Sequence, residues 1–314
     1  MTDAYWAGPE EKEEIIEFID YVFSKAHRPH DFATLLPKLY GEHGDGAAHH
    51  FVVREEGKLA ATVLVYPVTM HIGERTLTTL GVGSVSTHSR VRGRGYMRLL
   101  MDAVDARAKE TGAAFAVLGG QRQRYQYFGY DYAGYELHGR FTPANARHAL
   151  RTVDAADYDV MPMTQAHVPQ AAALLERQSC FCARSGEAYL DILRSWNNEP
   201  FALRRGGRPV GFGALRQNEG NCHLAELLLE DEADFPAAMK LLSARYGALT
   251  VCAAPWERKR AKWLASVCEE VAVQPNHQFK FYDEEQVRAA CAALDGFLPM
   301  KMAMPVCVTP PDCV

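Results

Sequence analysis

Hydrophobic positions near the N terminus repeat with the period of a helix. Ile15, Ile19 and Val22 fall on one face of a helix spanning residues 10–23, and the residues that begin this segment are acidic. Acidic side chains in a first turn stabilise a helix, because they lie near the positive end of its dipole. The pattern therefore predicts an amphipathic helix whose apolar face packs against a core.

Three runs with strand character follow this helix. The runs 51–54 and 59–66 flank a turn at Gly57, an arrangement typical of a β-hairpin. The third run, 75–87, is rich in Thr, Val and Leu and contains two glycines. Glycine weakens a strand and often marks a bulge, so we expect the third strand to be splayed near its end.

A segment rich in arginine and glycine separates these strands from a second amphipathic helix. Met97, Leu100 and Val104 form the apolar face of this helix, which ends at Gly112. A short apolar run at 115–118 predicts one more, buried strand. The order of helix, antiparallel strands, glycine loop, helix and strand predicts an α/β fold with a mixed sheet.

The second half of the chain weakly repeats the first. An aromatic residue, an arginine and a turn glycine recur at a constant offset of 150, in the pairs Phe51/Phe201, Arg54/Arg204 and Gly57/Gly207. The order of helix, hairpin, strand and helix recurs around this second hairpin. We therefore predict two tandem domains, residues 1–150 and residues 151–314, of which the second is a degenerate copy.

Composition and charge narrow the class of protein. The 314 residues are 48% hydrophobic and 23% charged, which is ordinary for a globular protein. A net charge of −5 gives no general attraction to nucleic acid or to anionic lipid. The sequence contains neither an apolar run of about 18 residues nor a signal-peptide pattern. We expect a cytoplasmic protein without nucleic-acid or membrane partners, and a homo-oligomer is allowed.

The cysteine and histidine spacings do not predict a metal site. All eight cysteines lie at or beyond Cys180, and the closest two are separated by one residue. Zinc-type spacing is absent, so we expect reduced and mostly buried thiols and no metal. The histidine pairs His27/His30 and His49/His50 lack acidic partners at ligand spacing, and we interpret them as loop residues.

The segment 83–101 carries the most informative chemistry. No Asp or Glu occurs between Glu74 and Asp102. The same stretch contains the arginines Arg90, Arg92, Arg94 and Arg98. Backbone N–H groups of a glycine loop and a helix N terminus bind anions, and arginine side chains suit phosphate, so the sequence predicts a pyrophosphate ligand. The P-loop pattern is absent, and the dinucleotide fingerprint fits poorly.

The pattern R-x-x-G-x-G/A before a helix resembles the coenzyme A loop of the GNAT acetyltransferase superfamily. Two registers fit, one beginning at Arg90 and one at Arg92. We prefer the second, because its distance from the strand is the usual one and because His88-Ser89 then falls where the family often has a residue followed by proline. In this register the resemblance implies that acetyl-CoA is bound by Val85, Ser86, Thr87, Arg92, Gly93, Arg94, Gly95, Tyr96 and Met97.

A second segment, Tyr125-Gln-Tyr-Phe-Gly-Tyr, resembles the Y-x-x-F-G-Y motif of enhanced-intracellular-survival-type acetyltransferases. Those proteins pair an active N-terminal GNAT domain with a degenerate second one. The resemblance implies that Tyr125 protonates the departing thiolate of coenzyme A, although residues 125–135 contain five tyrosines that sequence physics alone does not distinguish. In that family the terminal carboxylate, here that of Val314, reaches the active site. Longer relatives carry a third, sterol-carrier-like domain, for which no room exists after Leu298, so the general base stays open between Val314, His88 and water.

These observations predict an acetyl-CoA-dependent N-acetyltransferase. The acetyl group would pass by direct attack to a primary amine of a small molecule or a peptide. Two other classes are compatible with the sequence: a non-catalytic acyl-CoA-binding or sensing protein, and a tandem-domain scaffold. The corresponding loop of the second copy, 230–234, is acidic where phosphate needs hydrogen-bond donors, so we expect it to bind no coenzyme A.

Overall fold

The computed structural model describes residues 2–292 and 294. The strands in chain order are β1 (Thr2–Trp6), β2 (His50–Glu55), β3 (Lys58–Ile72), β4 (Arg75–Thr87), β5 (Phe115–Leu118), β6 (Asp131–Tyr132), β7 (Tyr135–Phe141), β8 (Tyr158–Pro162), β9 (Cys180–Cys182), β10 (Glu199–Arg205), β11 (Arg208–Asn218), β12 (Asn221–Leu229), β13 (Leu249–Ala253), β14 (Glu270–Pro275) and β15 (Gln278–Phe281). The α-helices are α1 (Lys12–Ala26), α2 (Phe32–Leu35), α3 (Pro37–Tyr40), α4 (Tyr96–Thr111), α5 (Arg122–Tyr125), α6 (Pro143–Ala149), α7 (Val168–Leu175), α8 (Tyr189–Arg194), α9 (Phe235–Tyr246), α10 (Arg258–Val267) and α11 (Glu284–Cys291).

The described chain divides into two compact units. Unit 1 comprises residues 2–132 and 277–292, and unit 2 comprises residues 133–276 and 294. Each unit is built on its own mixed sheet, which confirms the predicted α/β fold with two tandem domains. The division differs from the predicted one at residue 150, because β7 belongs to the sheet of unit 2 and β15 returns to the sheet of unit 1.

The sheet of unit 1 follows the order β1-β2-β3-β4-β5-β15-β6. The pairs β1/β2, β2/β3 and β3/β4 are antiparallel, β4 and β5 are parallel, and β15 is antiparallel to both β5 and β6. The turn between β2 and β3 has φ values of 52° at Glu56 and 74° at Gly57. Two successive positive φ angles are typical of the tight hairpin turns that match strand twist.

Helix α4 packs against one face of this sheet. Side chains alternate across a strand, so Val63 of β3 and Val82 of β4 meet the apolar face of α4, which includes Leu100 and Val104. The predicted second helix is therefore confirmed, and it ends at Gly112 as expected. Gly112 is in the left-handed conformation that a helix C terminus favours.

Unit 2 repeats this arrangement in the order β14-β7-β13-β12-β11-β10-β8. β12 and β13 are parallel, like β4 and β5. The turn between β10 and β11 has φ values of 57° at Gly206 and 79° at Gly207, which closely match the first hairpin. The paired arginines also act alike, since Arg54 binds carboxylates of unit 1 and Arg204 binds Asp159 of unit 2. The predicted internal repeat is thus present in the structure.

Four of the cysteines that form no disulfide bond in the described chain lie where burial raises the pKa of the thiol. These are Cys222, Cys252, Cys268 and Cys291. Burial raises the pKa of Cys222, Cys268 and Cys291 to about 11. These thiols are therefore neutral near pH 7 and poor nucleophiles. Among the described helices, none combines the length and the apolarity that crossing a membrane requires.

Candidate active site

β4 is irregular near its end. Its pairing with β3 shifts between Thr62 and Leu64, so that Ser84 and Val85 of β4 together face the single residue Val63. This is a β-bulge, and Ser84 adopts a φ of 50°, which is uncommon for a residue other than glycine. The splayed end that the glycines of this run predict is therefore present, and it lies at the bulge.

The bulge leaves one edge of β4 open. β5 pairs with β4 only as far as Val82, and among the described residues no strand follows it on that side. The N–H group of His88 donates to a carbonyl of β3. Since successive N–H groups alternate between the two sides of a strand, those of Val85 and Thr87 point toward the open side. Two backbone donors thus face a gap between diverging parallel strands.

A loop with two left-handed glycines connects this edge to α4. Gly93 and Gly95 both have a φ of 83°, and a Cβ at either position would meet no atom within 4 Å. The backbone conformation, rather than crowding, therefore requires glycine here. Gly95 is the N-cap residue of α4, and no side chain of the described residues caps the helix. The N–H groups of its first turn are consequently available to an anion.

One arginine of the loop is held within the protein. Arg94 forms an ion pair with Glu55 at the end of β2, and the second carboxylate oxygen of Glu55 accepts a hydrogen bond of 3.1 Å from the hydroxyl of Tyr96. The side chain of Tyr96 is buried. Arg94 and Tyr96 therefore brace the loop against the sheet, and Tyr96 can offer only its backbone N–H to a ligand at the helix N terminus.

The other loop arginines are exposed and not neutralised. Within the described part of the chain, Arg90, Arg92 and Arg98 take part in no ion pair. Met97, in the first turn of α4, is half-buried against the core. Exposed guanidinium groups beside uncapped N–H groups create the positive potential that the sequence predicts for this segment.

His88 lies between the bulge and the loop. Its Nδ1 accepts a hydrogen bond of 3.2 Å from the N–H of Arg90, and its ring stacks on that of Tyr21 with centroids 5.3 Å apart. Burial, followed by the positive charges of Arg90 and Arg92, lowers the pKa of His88. The imidazole is therefore neutral near pH 7, with one nitrogen already engaged.

Tyr125 lies at the end of α5, in a short helical turn. It belongs to the hydrophobic cluster of unit 1 that contains Val82 and, at its margin, Val85. A Cβ at Gly120 would lie 2.7 Å from its ring, which explains the glycine there. Tyr127, in contrast, is 88% exposed.

The hydroxyl of Tyr125 is neutral and has no hydrogen-bond partner among the described residues. The residue is 6% exposed, and burial raises the pKa of the phenol. Within the described residues this hydroxyl forms no hydrogen bond, and it is not among the fully buried unpaired polar atoms. It is therefore protonated near pH 7 and accessible to a ligand. Val314, the other predicted catalytic residue, lies outside the described residues.

Three side chains of unit 2 could hold a metal ion. Glu136 and His138 lie two residues apart on β7, and Cys252 of β13 lies directly opposite His138. Their donor atoms are all within 4.8 Å of one another, and Nε2 of His138 is 2.9 Å from Oε1 of Glu136. Sequence spacing could not indicate this cluster, because its members come from strands more than a hundred residues apart.

The geometry of unit 1 agrees with a comparison to protein families. Residues 7–134 match the model of the acetyltransferase (GNAT) domain. This segment is therefore similar to a GNAT acetyltransferase domain. It contains the bulged strand β4, the glycine loop, α4, β5 and Tyr125, so the resemblance that the sequence indicates is confirmed. Acetyl transfer is the general activity of GNAT acetyltransferases.

Solved structures show the same fold over both units. A GCN5-related N-acetyltransferase from Kribbella flavida matches with a TM-score of 0.67 and 16% identity, over 95% of this chain and 76% of its own. A probable N-acyltransferase from Enterococcus faecalis matches with a TM-score of 0.70 and 14% identity, over 91% and 74%. Eis1 from Mycobacterium abscessus matches with a TM-score of 0.63 and 15% identity, over 92% and 76%. A search of curated proteins gives no match.

These likenesses extend beyond the GNAT domain itself. Each neighbour aligns with more than nine tenths of the chain, so the fold of unit 2 is shared as well as that of unit 1. The match to Eis1 is consistent with the resemblance to enhanced-intracellular-survival-type acetyltransferases. At such low identity the likeness shows the fold, and the chemistry must be argued from the residues of this chain.

Proposed function

We propose that the protein is an acetyl-CoA-dependent N-acetyltransferase whose active site lies in the GNAT domain of unit 1. The acceptor is a primary amine of a small molecule or a peptide. One observation carries this proposal: an uncapped helix N terminus with two left-handed glycines directly follows a strand whose bulged edge is open. That arrangement offers donors for a diphosphate and, next to them, donors for an extended amide chain.

The diphosphate of acetyl-CoA would bind at the start of α4. The N–H groups at Gly95, Tyr96 and Met97 point out of the first turn, and the helix dipole favours negative charge there. Arg92 adds a guanidinium that no described carboxylate neutralises. Gly93 supplies the turn, and Arg94 acts through its ion pair with Glu55 by fixing the loop.

The pantetheine arm would extend along the open edge of β4. Its amide groups are chemically equivalent to a peptide strand, so they can pair with the backbone of residues 85–87. In this position the thioester carbonyl lies beside the N–H groups of Val85 and Thr87. Ser86 is buried, and by the same alternation its N–H group points toward β3, so Ser86 would shape this edge without donating to the ligand.

Acetyl transfer then requires three events. The acceptor must lose a proton, since a free alkylamine has a pKa of about 10.4 and only its neutral form attacks the thioester. The tetrahedral oxyanion is stabilised by backbone N–H donors of β4. The C–S bond breaks, and the thiolate takes the proton of the Tyr125 hydroxyl or of an equivalent acid.

Tyr125 is suited to this last step. A phenol whose pKa is raised by burial keeps its proton until a strong base forms beside it. The departing thiolate, with a free-thiol pKa of about 8.5, is a weaker base than the phenolate, so the hydroxyl would stabilise it first by a hydrogen bond, and transfer of the proton would require that Tyr125 is reprotonated from the solvent. The group that removes the proton of the amine is His88, the carboxylate of Val314 or water.

A coenzyme A release assay with a panel of primary amines tests this function. Calorimetric titration with acetyl-CoA is performed in parallel, with the Gly95→Asp variant as the control for the site. Turnover with any amine, together with loss of binding in the variant, supports the proposal. Binding without turnover identifies an acyl-CoA sensor instead, and the absence of binding leaves a scaffold role.

A further inference from the structure

A line of side-chain hydrogen bonds connects the bulge of β4 to the interior of unit 1. The hydroxyl of Tyr40 lies 2.8 Å from Oγ of Ser84 and 2.9 Å from Nε2 of His50. Nδ1 of His50 lies 2.7 Å from Oγ1 of Thr62, and Thr62 donates to the carbonyl of Phe51 at 3.1 Å. The line crosses β2, β3 and β4 and includes the last residue of α3.

Counting protons fixes the direction of each bond. Thr62 has one hydroxyl proton and donates it to a carbonyl, so it must accept from Nδ1–H of His50. In a neutral imidazole Nε2 is then unprotonated and accepts from the hydroxyl of Tyr40. Because the proton of Tyr40 is used in that bond, its oxygen accepts from the hydroxyl of Ser84. The sequence of donors thus runs from Ser84 inward.

The imidazole of His50 does not become protonated near neutral pH. His50 is fully buried, and burial, reinforced by the neighbouring His49, lowers its pKa to about 3. The neutral form therefore predominates at any pH at which the protein functions. This excludes His50 as the base that receives the amine proton through the two hydroxyls, and it leaves the line with a positioning role.

Ser84 is the residue that needs such positioning. Its φ of 50° is a sparsely populated conformation for serine, and such conformations persist only where the surrounding structure determines them. Tyr40 is buried, and its ring contacts that of Phe32 at 6.1 Å, so its hydroxyl is a fixed acceptor. The bond from Ser84 to Tyr40 therefore secures the bulge at the point where β4 turns away from β5.

Resting on the proposed function, we propose that Ser84, Tyr40, His50 and Thr62 form a directed hydrogen-bond chain that holds the β4 bulge so that the N–H groups next to it face the thioester. These four are positioning residues, and none of them needs to contact the acetyl group. An interaction that aims donors at the developing oxyanion contributes mainly to the transition state, so its loss lowers kcat more than it weakens acetyl-CoA binding.

Two variants and a matched control test the chain in the full-length protein. Tyr40→Phe removes the central hydroxyl. Ser84→Gly removes the outer hydroxyl, and because glycine adopts a positive φ without strain, any loss of activity in this variant comes from the missing hydrogen bond. Tyr66→Phe is the control, because its hydroxyl also makes one hydrogen bond in unit 1, of 2.9 Å to Asp45, away from the bulge.

We expect kcat to fall at least about tenfold in Tyr40→Phe and in Ser84→Gly, while the Kd for acetyl-CoA changes less than about threefold. Tyr66→Phe should stay within about twofold of the wild type. If Tyr40→Phe fails to fold, Ser84→Gly decides, since glycine accepts the backbone conformation. A wild-type kcat in folded Ser84→Gly overturns the proposal.

The histidine gives an independent signature. ¹⁵N spectra of the wild type should show His50 in the Nδ1–H tautomer and unchanged between about pH 5 and pH 8. His50→Gln, whose amide oxygen can still accept from Tyr40, should be several-fold more active than His50→Leu. The Nε2–H tautomer contradicts the chain, whatever the activity. A wild type with the expected tautomer but no turnover with any amine overturns the proposed function, and the catalytic role of the chain with it.

Discussion

The two units share a sheet plan and differ at one loop. In each, a hairpin with a left-handed turn leads into a strand, a helix and a parallel strand. In unit 1 the connection from strand to helix contains Gly93 and Gly95 and ends in an uncapped helix N terminus. In unit 2 the corresponding connection, 230–234, is acidic and forms a short 3-10 turn that Asp231 caps. The hairpin and the parallel strands, which both units have, belong to the fold, whereas the glycine loop and the uncapped helix, which distinguish unit 1, are the features that a bound anion would need.

Backbone N–H groups and charged side chains of the 230–234 loop are already engaged with other groups of unit 2. Asp231 accepts from the N–H of Ala233 at 2.9 Å, and the buried carboxylate of Asp234 pairs with Arg205. The second residue of α9 is Pro236, which has no N–H to offer. The N-terminal region of α9 therefore presents negative charge and fewer donors than that of α4. The sheet plan of unit 1 thus recurs in unit 2 without the glycine loop of unit 1, and we expect the start of α9 to bind no diphosphate.

The largest expected difference between the units concerns Tyr125, at a position where unit 2 has no tyrosine. Tyr125→Phe keeps the ring and its packing and deletes only the hydroxyl. We expect turnover to fall about 100-fold or more, equivalent to roughly 2.7 kcal/mol, as for loss of a general acid. Acetyl-CoA affinity and thermal stability should change little, and steady-state kinetics with calorimetry measure both.

Tyr127→Phe is the control for this prediction. Tyr127 is 88% exposed and two residues away, so its hydroxyl contributes little to packing. If turnover is lost in Tyr127→Phe and stays near the wild-type rate in Tyr125→Phe, the register assumed for the motif is shifted. Wild-type rates in both variants would assign proton delivery to water or place the chemistry outside the slow step.

Gly95→Asp should have the next largest effect. It introduces negative charge at the diphosphate site together with a left-handed non-glycine residue. We expect the affinity for acetyl-CoA to fall at least tenfold, or about 1.4 kcal/mol. Gly57→Asp is matched, since Gly57 has a φ of 74° and equally open surroundings in the same unit. Similar thermal stability in the two variants, with loss of affinity in only the first, is the expected calorimetric result; equal affinities would exclude the site.

A smaller effect should appear in the stability of unit 1 at acidic pH. The pKa of His50 is about 3 in the folded protein and about 6.5 in an unfolded chain. Between these values the unfolded chain binds more protons, so the free energy of unfolding falls as the pH decreases through this range. We expect a loss of about 1 kcal/mol between pH 7 and pH 5.5, measured by urea denaturation.

Substitution of His50 should show whether this residue causes the loss of unfolding free energy at acidic pH. In His50→Gln the dependence should be weaker by about that amount. An identical pH dependence in wild type and His50→Gln would mean that His50 titrates in the folded state as it does in the unfolded chain.

The smallest effect is expected in unit 2. Titration should give one acetyl-CoA per chain, because the acidic loop opposes a phosphate. Glu232→Gln removes one of its charges, which pairs with Arg260, and should change acetyl-CoA affinity by less than about twofold. A second bound acetyl-CoA, surviving Gly95→Asp, would show that the two loops do not differ in function.

Sequence patterns predicted the local elements of the site well. The strands at 75–87 and 115–118 and the helix after the glycine loop lie where hydrophobic periodicity places them. The glycines of the loop are recognisable because a left-handed backbone strongly favours that residue. Local chemistry was sufficient for these features, since each depends on neighbours within one or two turns of the chain.

Contacts between distant segments were not predictable in this way. His50, interpreted as a loop residue, is fully buried at the start of β2, because Tyr40 and Thr62 satisfy both of its nitrogens. Nothing near it in sequence indicates those partners. The same limit applies to β15, which lay within the segment assigned to the second copy. A strand's period indicates which face is buried and gives no information on which sheet it joins.

The position of β15 has a consequence for the order of events during synthesis. Ribosomes add roughly 5–20 residues per second, so residues 2–132 emerge well before residues 278–281. Until then the edge of β5 has no partner from β15, and unpaired strand edges recruit other chains. Fragments that stop near residue 150 should therefore aggregate, although they contain the whole match to the GNAT domain. Co-expression of the missing segment would then be the means to keep such a fragment in solution.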